Sequence, residues 1–264
     1  MDAVVCCIAK LEGPYILEWV TYHLKLGFSR IYIYDNNNDK TRLRSYFSNR
    51  EVVSEKISSK IRIIHFPGKT KQMPAYNNFL VNFSNRHKWV AFLDCDEFIV
   101  LKNWEPITVF LSKYCQSGSL ILNWRLFGDS GRKNYSPEPV TQRFTMCDAN
   151  LTHNVKSISI CKDIKFISNP HTPELKNGLL RDVNSNVITE NLVYNNNSTL
   201  NIAYVNHYFG KTYEEWIIKK NRGRSDIDNV RLDYDFHGHN KNDVEDLSAH
   251  LFYTDPNLDF FTSP

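Results

Sequence analysis

Ala3-Val4-Val5-Cys6-Cys7-Ile8-Ala9, joined through a helical stretch to Arg30-Ile31-Tyr32-Ile33-Tyr34, decides the fold. The first run is continuously apolar and β-prone, as a strand buried on both faces must be. Glu12-Gly13-Pro14 then opens a helical pattern that runs to about Leu26, with proline near the first turn and Gly27 as a stop. Strand, helix and strand within 35 residues make a βαβ unit, and such a unit implies a parallel sheet.

The alternation continues outward. A helix is expected near residues 40–50, a strand at 61–66, a helix at 74–86 and a strand at 88–94. Further strands are expected at 119–124 and 201–208, and a helix at 212–222. Between about 132 and 200 the signal is mixed and shows no clear helix. The fold class is therefore α/β, with a Rossmann-like, mostly parallel sheet flanked by helices.

Composition narrows the function classes. The chain has 264 residues, 32 Lys and Arg against 29 Asp and Glu, and 42% hydrophobic residues. That is enough apolar material for a core. A net charge of +3 without a basic block gives no support to nucleic-acid binding. No apolar run reaches membrane-spanning length, and the start lacks the basic n-region of a signal peptide. The six cysteines show no C-x-x-C spacing and read as free thiols in a reducing compartment. The expectation is a cytoplasmic chain, and its asparagine-rich composition points to a virus or microbe.

The densest chemistry follows the 88–94 strand, where Leu93-Asp94-Cys95-Asp96-Glu97 places two carboxylates in D-x-D spacing. If the strand continued, Asp94 and Asp96 would share a face at its carboxyl end, where open α/β sheets bind ligands. Oxygen donors there suit Mg²⁺ or Mn²⁺, although D-x-D also occurs in exposed turns. Asp35 ends the second strand and reads either as a nucleotide-binding acceptor or as a turn residue. Lys10 and Glu12 close the first strand, beside a nucleotide or in a solvated loop. In Asn206-His207-Tyr208-Phe209-Gly210-Lys211-Thr212, His207 would complete a metal shell or serve only structurally. Thr212 and Glu215 form a capping box, whose free N–H groups together with Lys211 would favour a phosphate. Trp124 and Phe127 flank a glycine-bearing loop and read as sugar-stacking faces or as core. Asp129 is the first choice for a general base and Glu97 its rival.

Several of these segments, in order over roughly residues 3–230, resemble glycosyltransferase family 92. The matching residues include Lys10-Leu11-Glu12-Gly13-Pro14, Tyr34-Asp35-Asn36, Gln72 with Ala75-Tyr76-Asn77, and Phe92-Leu93-Asp94-Cys95-Asp96-Glu97-Phe98. Trp124-Arg125-Leu126-Phe127-Gly128, Val155-Lys156-Ser157-Ile158, His171, and His207-Tyr208 with Lys211, Lys219 and Arg222-Gly223 follow. The resemblance implies a GT-A fold spanning 1–240, with a nucleotide-binding half to about 125, an acceptor-binding half to 240 and a tail over 241–264. It also implies an inverting, Mn²⁺-dependent transfer from a nucleotide sugar, usually UDP-linked, to a glycan acceptor. Metal ligation falls to Asp94, Asp96 and His207, and donor binding to Lys10, Glu12, Asp35, Gln72, Asp94 and Lys211. The competing readings are a non-catalytic nucleotide- or sugar-binding protein on the same fold and a metal-dependent phosphodiesterase or nucleotidyltransferase.

Overall fold

A computed structural model describes residues 2–189 and 192–262. Its main sheet has nine strands: β1 Ala3–Ala9, β2 Arg30–Asp35, β3 Ile61–His65, β4 Trp89–Phe92, β5 Glu97–Leu101, β6 Ser119–Leu126, β7 Val155–Ile160, β8 Leu180–Arg181 and β9 Ala203–His207. The spatial order is β3-β2-β1-β4-β7-β6-β9-β5, with β8 beside the start of β6. β3, β2, β1 and β4 are mutually parallel, as the βαβ reading requires. β7 runs antiparallel between β4 and β6, and β5 runs antiparallel to β9. The chain leaves β1 in one direction for β2 and later returns on its other side as β4. That reversal opens a crevice at the carboxyl ends of β1 and β4, where open α/β sheets take ligands.

Helices cover the sheet by simple periodicity. In α1 (Ile16–Lys25) Trp19 and Tyr22 are fully buried, and they also tie the distant β5 in place. Trp19 Nε1 donates to the Glu97 carbonyl at 2.8 Å and the Tyr22 hydroxyl to the Ile99 carbonyl at 2.8 Å. Beyond α2 (Arg42–Ser48), α3 (Gln72–Asn82) buries Gln72, Ala75, Tyr76 and Phe79, the i, i+3, i+4, i+7 stripe of a one-faced helix. Only Gln72 of that stripe is polar, and it sits at the end facing the crevice.

Several elements were not expected. β5 follows the D-x-D turn directly, α4 (Ile107–Tyr114) fills the connection to β6, and residues 233–239 and 248–254 form two further helices. The stretch from 241 onward, expected as a tail, packs on the domain as far as it is described. Val244–Glu245 pairs with Met146–Cys147, Asp246 accepts Arg125 Nη1 at 2.6 Å, and α7 (Ser248–Thr254) inserts Phe252 against Tyr22. It follows α5 (Tyr213–Asn221) and α6 (Asp233–His239), and residues 263 and 264 lie outside those described. All six cysteines are buried free thiols. No helix among the described residues is long and apolar enough to cross a membrane.

Candidate active site

β4 stops at Phe92, so Asp94 and Asp96 stand in a turn rather than on a strand face. The Glu97 amide closes that turn on the Asp94 carbonyl at 3.1 Å, and Glu97 Oε2 accepts the Asp94 amide at 2.9 Å. The two carboxylates consequently part company. Asp94 stays about a third exposed, with Oδ1 accepting Gln72 Nε2 at 2.7 Å and Oδ2 accepting Lys156 Nζ at 3.0 Å. Asp96 turns inward, with Oδ2 on Lys219 Nζ and Oδ1 3.7 Å from His207 Nε2.

His207 reaches Asp96 through sheet pairing. β9 inserts between β6 and β5 so that His207 lies opposite Glu97, and the Tyr208 amide donates to the Asp96 carbonyl at 2.9 Å. The ring packs on Trp124 with centroids 4.3 Å apart, and Nδ1 has no partner among the described residues. Burial lowers the His207 pKa well below its usual value, with Lys219 adding to the effect and Asp96 opposing it. The imidazole is therefore neutral and carries a lone pair. Burial alone would raise the Asp96 pKa, but the charges of Lys219 and Lys211 outweigh it and keep the group ionised.

Around this pair lies a cavity of about 150 Å³ at the carboxyl ends of β1 and β4. Lys10, Glu12, Gln72, Asp94, Asp96, Trp124 and His207, all singled out in the sequence, line it together. The wall opposite the D-x-D turn comes from the far end of the chain. Arg222 pairs with Glu12 at 2.5 Å and donates to the Lys10 carbonyl at 2.7 Å, while Lys10 Nζ donates to the Arg222 carbonyl at 3.3 Å. Beyond Gly223, Ser225 accepts the Gln72 amide at 2.9 Å and Arg224 pairs with Asp226 at 2.7 Å. Lys219, Arg224 and Arg231 also face the cavity.

Five other expected residues do not line it. Asp35 is fully buried, its Oδ1 held by the Asn37 amide and side chain, and Asn37 in turn accepts the Leu11 amide. Its work is to shape the 10–12 loop. Lys211 has a positive φ of 58° and stacks over Tyr15 at 4.5 Å. The capping box on α5 forms as expected, but Arg143 grips Glu215 with two 2.9 Å bonds at that end. The other end of α5, with Lys219, faces the cavity. Glu97 is sealed beneath the turn beside Lys156, and burial raises its pKa well above the usual range. Phe127 is core, packed on Tyr208 at 4.6 Å. Asp129 clamps its own loop, accepting from the Gly131 amide at 2.9 Å and Asn240 Nδ2 at 3.0 Å.

Of the basic wall, Lys10 was expected at the donor, Lys219 and Arg222 were matched to the family without a role, and Arg224 and Arg231 were not singled out. The wall's sequence signal is local: residues 219–231 hold five Lys and Arg against two Asp in a nearly neutral chain. Lys156 gave no signal beyond its place in the family match, since a lysine among the serines of Val155–Ile160 is ordinarily a solvent-facing residue. It is 1% exposed, and the opposing pull of Asp94 and Glu97 overcomes burial and raises its pKa. His171 also lines the cavity. Its Nδ1 lies 2.9 Å from the Val155 carbonyl, and burial and Lys156 lower its pKa, so the neutral ring donates from Nδ1.

These features define a ligand site at the switch point of a mostly parallel α/β sheet, rimmed by carboxylates on one side and cations on the other. The sequence model of glycosyltransferase family 92 matches residues 2–236, and the chain belongs to that family. A family 92 protein of Ricinus communis is 26% identical over 227 residues, 84% of this chain and 37% of that protein. One from Oryza sativa is 27% identical over 159 residues, 58% of this chain and 26% of the relative. The chain thus matches between about a quarter and two fifths of the length of these relatives. Among solved structures, Staphylococcus aureus TarS residues 1–349 with UDP-GlcNAc aligns at TM-score 0.45 and 15% identity, over 80% of this chain and 60% of that one.

Proposed function

We propose that the chain transfers a sugar from a nucleoside diphosphate donor, UDP-linked in the first instance, to a glycan hydroxyl with inversion. The observation that carries this reading is the pairing across one cavity of Asp96 and His207 with the cations of residues 219–231. Glycosyl transfer develops positive charge on the sugar and negative charge on the departing diphosphate. A site for it must offer both polarities within a few ångströms.

Among the described residues no three His, Cys, Asp or Glu side chains converge on one point. The Asp96–His207 pair nevertheless fits a divalent ion. Two ligands each about 2.1 Å from one ion stand roughly 3 to 4.2 Å apart, and these atoms are 3.7 Å apart. A neutral imidazole and an ionised carboxylate are the correct donor states. Asp94 fits less well, because both its oxygens are engaged by Gln72 and Lys156. Mn²⁺ or Mg²⁺ would be held by Asp96 and His207, with the donor completing the shell, and would act as a Lewis acid towards the diphosphate.

The remaining work falls to the chain itself. Gln72 and Lys156 fix the Asp94 carboxylate, whose exposed part is left to accept a donor hydroxyl. Trp124 presents an aromatic wall beside His207. With Glu97 sealed and Asp129 occupied, His171 is the cavity-wall group suited to receive the acceptor's proton, since its Nε2 has no protein partner among the described residues.

The test is a panel of UDP- and GDP-sugars assayed for Mn²⁺-dependent binding and turnover. The expected result is acceptor-stimulated release of UDP. Release of inorganic diphosphate would favour nucleotidyl transfer, and binding without turnover on any acceptor panel would favour a binding protein.

A further inference from the structure

The charges around the cavity do not balance within the protein. Lys219 is held by Asp96, Arg222 by Glu12 and Arg224 by Asp226, while Asp94 is satisfied by Lys156 from behind. Among the described residues, two cationic side chains on the wall are left without a carboxylate. There Lys10 donates only to the Arg222 carbonyl, and Arg231 only to the carbonyls of Gly223 and Lys219. Both Arg231 bonds use Nη1, so Nε and Nη2 have no protein partner among the described residues.

A plainer explanation is that Arg231 caps the C-terminal end of α5, as cations often do. That accounts for one nitrogen of three. It does not explain a guanidinium set among like charges when a single donor would serve the same carbonyls. Burial together with Arg222 and Arg224 lowers the Arg231 pKa, against the opposing pull of Asp96 and Asp226. Such crowding is relieved by an anion.

We propose that Arg231 is a phosphate-binding residue of this cavity, using its free Nε–Nη2 edge, together with Lys10 on the same wall, to take oxygens of the donor's diphosphate. The proposal rests on the nucleotide-sugar reading for the identity of that anion. Two uncompensated positive charges match a diphosphate, and the planar fork gives paired hydrogen bonds to phosphate oxygens. Arg231 thereby reads the phosphates and not the nucleoside.

Titration calorimetry of the full chain with UDP, UMP and inorganic pyrophosphate, in the presence of Mn²⁺, separates these roles. Arg231→Gln should weaken UDP by roughly 10- to 100-fold, the loss of one charged hydrogen-bonded contact, and UMP by less than about threefold. Arg231→Lys keeps the charge and a donor for the helix carbonyls, and should lose about three- to tenfold on UDP only. Equal losses on UDP and UMP, or none, in whichever variant folds would overturn the assignment and leave the capping role. Arg231-dependent pyrophosphate binding without nucleotide binding would uphold the anion site and sink the nucleotide-sugar reading. A wild-type chain that binds none of the three overturns both.

Discussion

The first hundred residues and the segment 211–232 build the same cavity by different physics. The first is a parallel sheet whose central strands β1 and β4 are buried and apolar, with polar residues gathered just beyond their carboxyl ends, at Lys10, Glu12, Asp94 and Asp96. The second is short, dense in charge and held largely by ion pairs: Arg143–Glu215, Lys219–Asp96 and Arg222–Glu12. Hydrophobic burial positions the first region without specifying any one contact. The second is positioned by particular charged partners and is correspondingly sensitive to their loss.

The largest effect is expected where the second region is anchored. Arg143 and Glu215 are 1% and 2% exposed at the side chain, and breaking such a pair by removing one member costs about 3–5 kcal/mol. Arg143→Met should lower stability by that amount in urea titration, whereas a loss below about 1 kcal/mol would show that α5 does not depend on the pair. Next comes the meeting point of the two regions. Asp96→Asn should reduce Mn²⁺-dependent donor turnover by about 10²–10³-fold, and activity within tenfold of wild type would remove Asp96 from the chemistry.

The first region has its own test in acid. His23 is fully buried, Nδ1 bonded to the Trp19 carbonyl at 2.8 Å and Nε2 without a partner among the described residues; burial lowers its pKa to about 4. Because the folded value lies below the unfolded one, stability is unaffected above pH 7. It falls as pH drops through 6.5 towards 4, when the unfolded chain binds the proton first. The loss is about 3 kcal/mol at full extent. The stability difference between wild type and His23→Phe should shift by that amount across this window, and a pH-independent difference would contradict the burial. The smallest effect belongs to Asp129→Asn. It should cost about 1 kcal/mol through the loosened 128–131 loop and keep turnover within tenfold, whereas a loss of 10²-fold or more would restore a base role.

The two regions also differ in how far they can be read from residues alone. β1, α1, β2 and β3 follow from runs and periods of a few residues, which local propensity enforces. The capping box at Thr212 was equally legible, for the same reason. Its interpretation failed because a cap says where a helix starts and nothing about which end meets a ligand. Arg143, far away in sequence, claims the start of α5 and leaves Lys219 at the other end to face Asp96. Asp129 and Phe127 likewise stand where a glycine-bearing loop should reach a pocket, yet Asn240 and core packing hold them away from it.

By itself, the sequence determined the βαβ start, the parallel sheet, the position of the D-x-D carboxylates after a strand, and the candidacy of His207. These depend on side-chain period and on chemistry carried by single residues. Only the tertiary structure decided that Asp94 and Asp96 have different partners, that β9 slots beside β5 to bring His207 to 3.7 Å from Asp96, and that a cationic wall from residues 219–231 faces them. The reason is the range of the interactions. Strand pairing and buried ion pairs join residues more than a hundred positions apart, and no local pattern records which partner a charge will find.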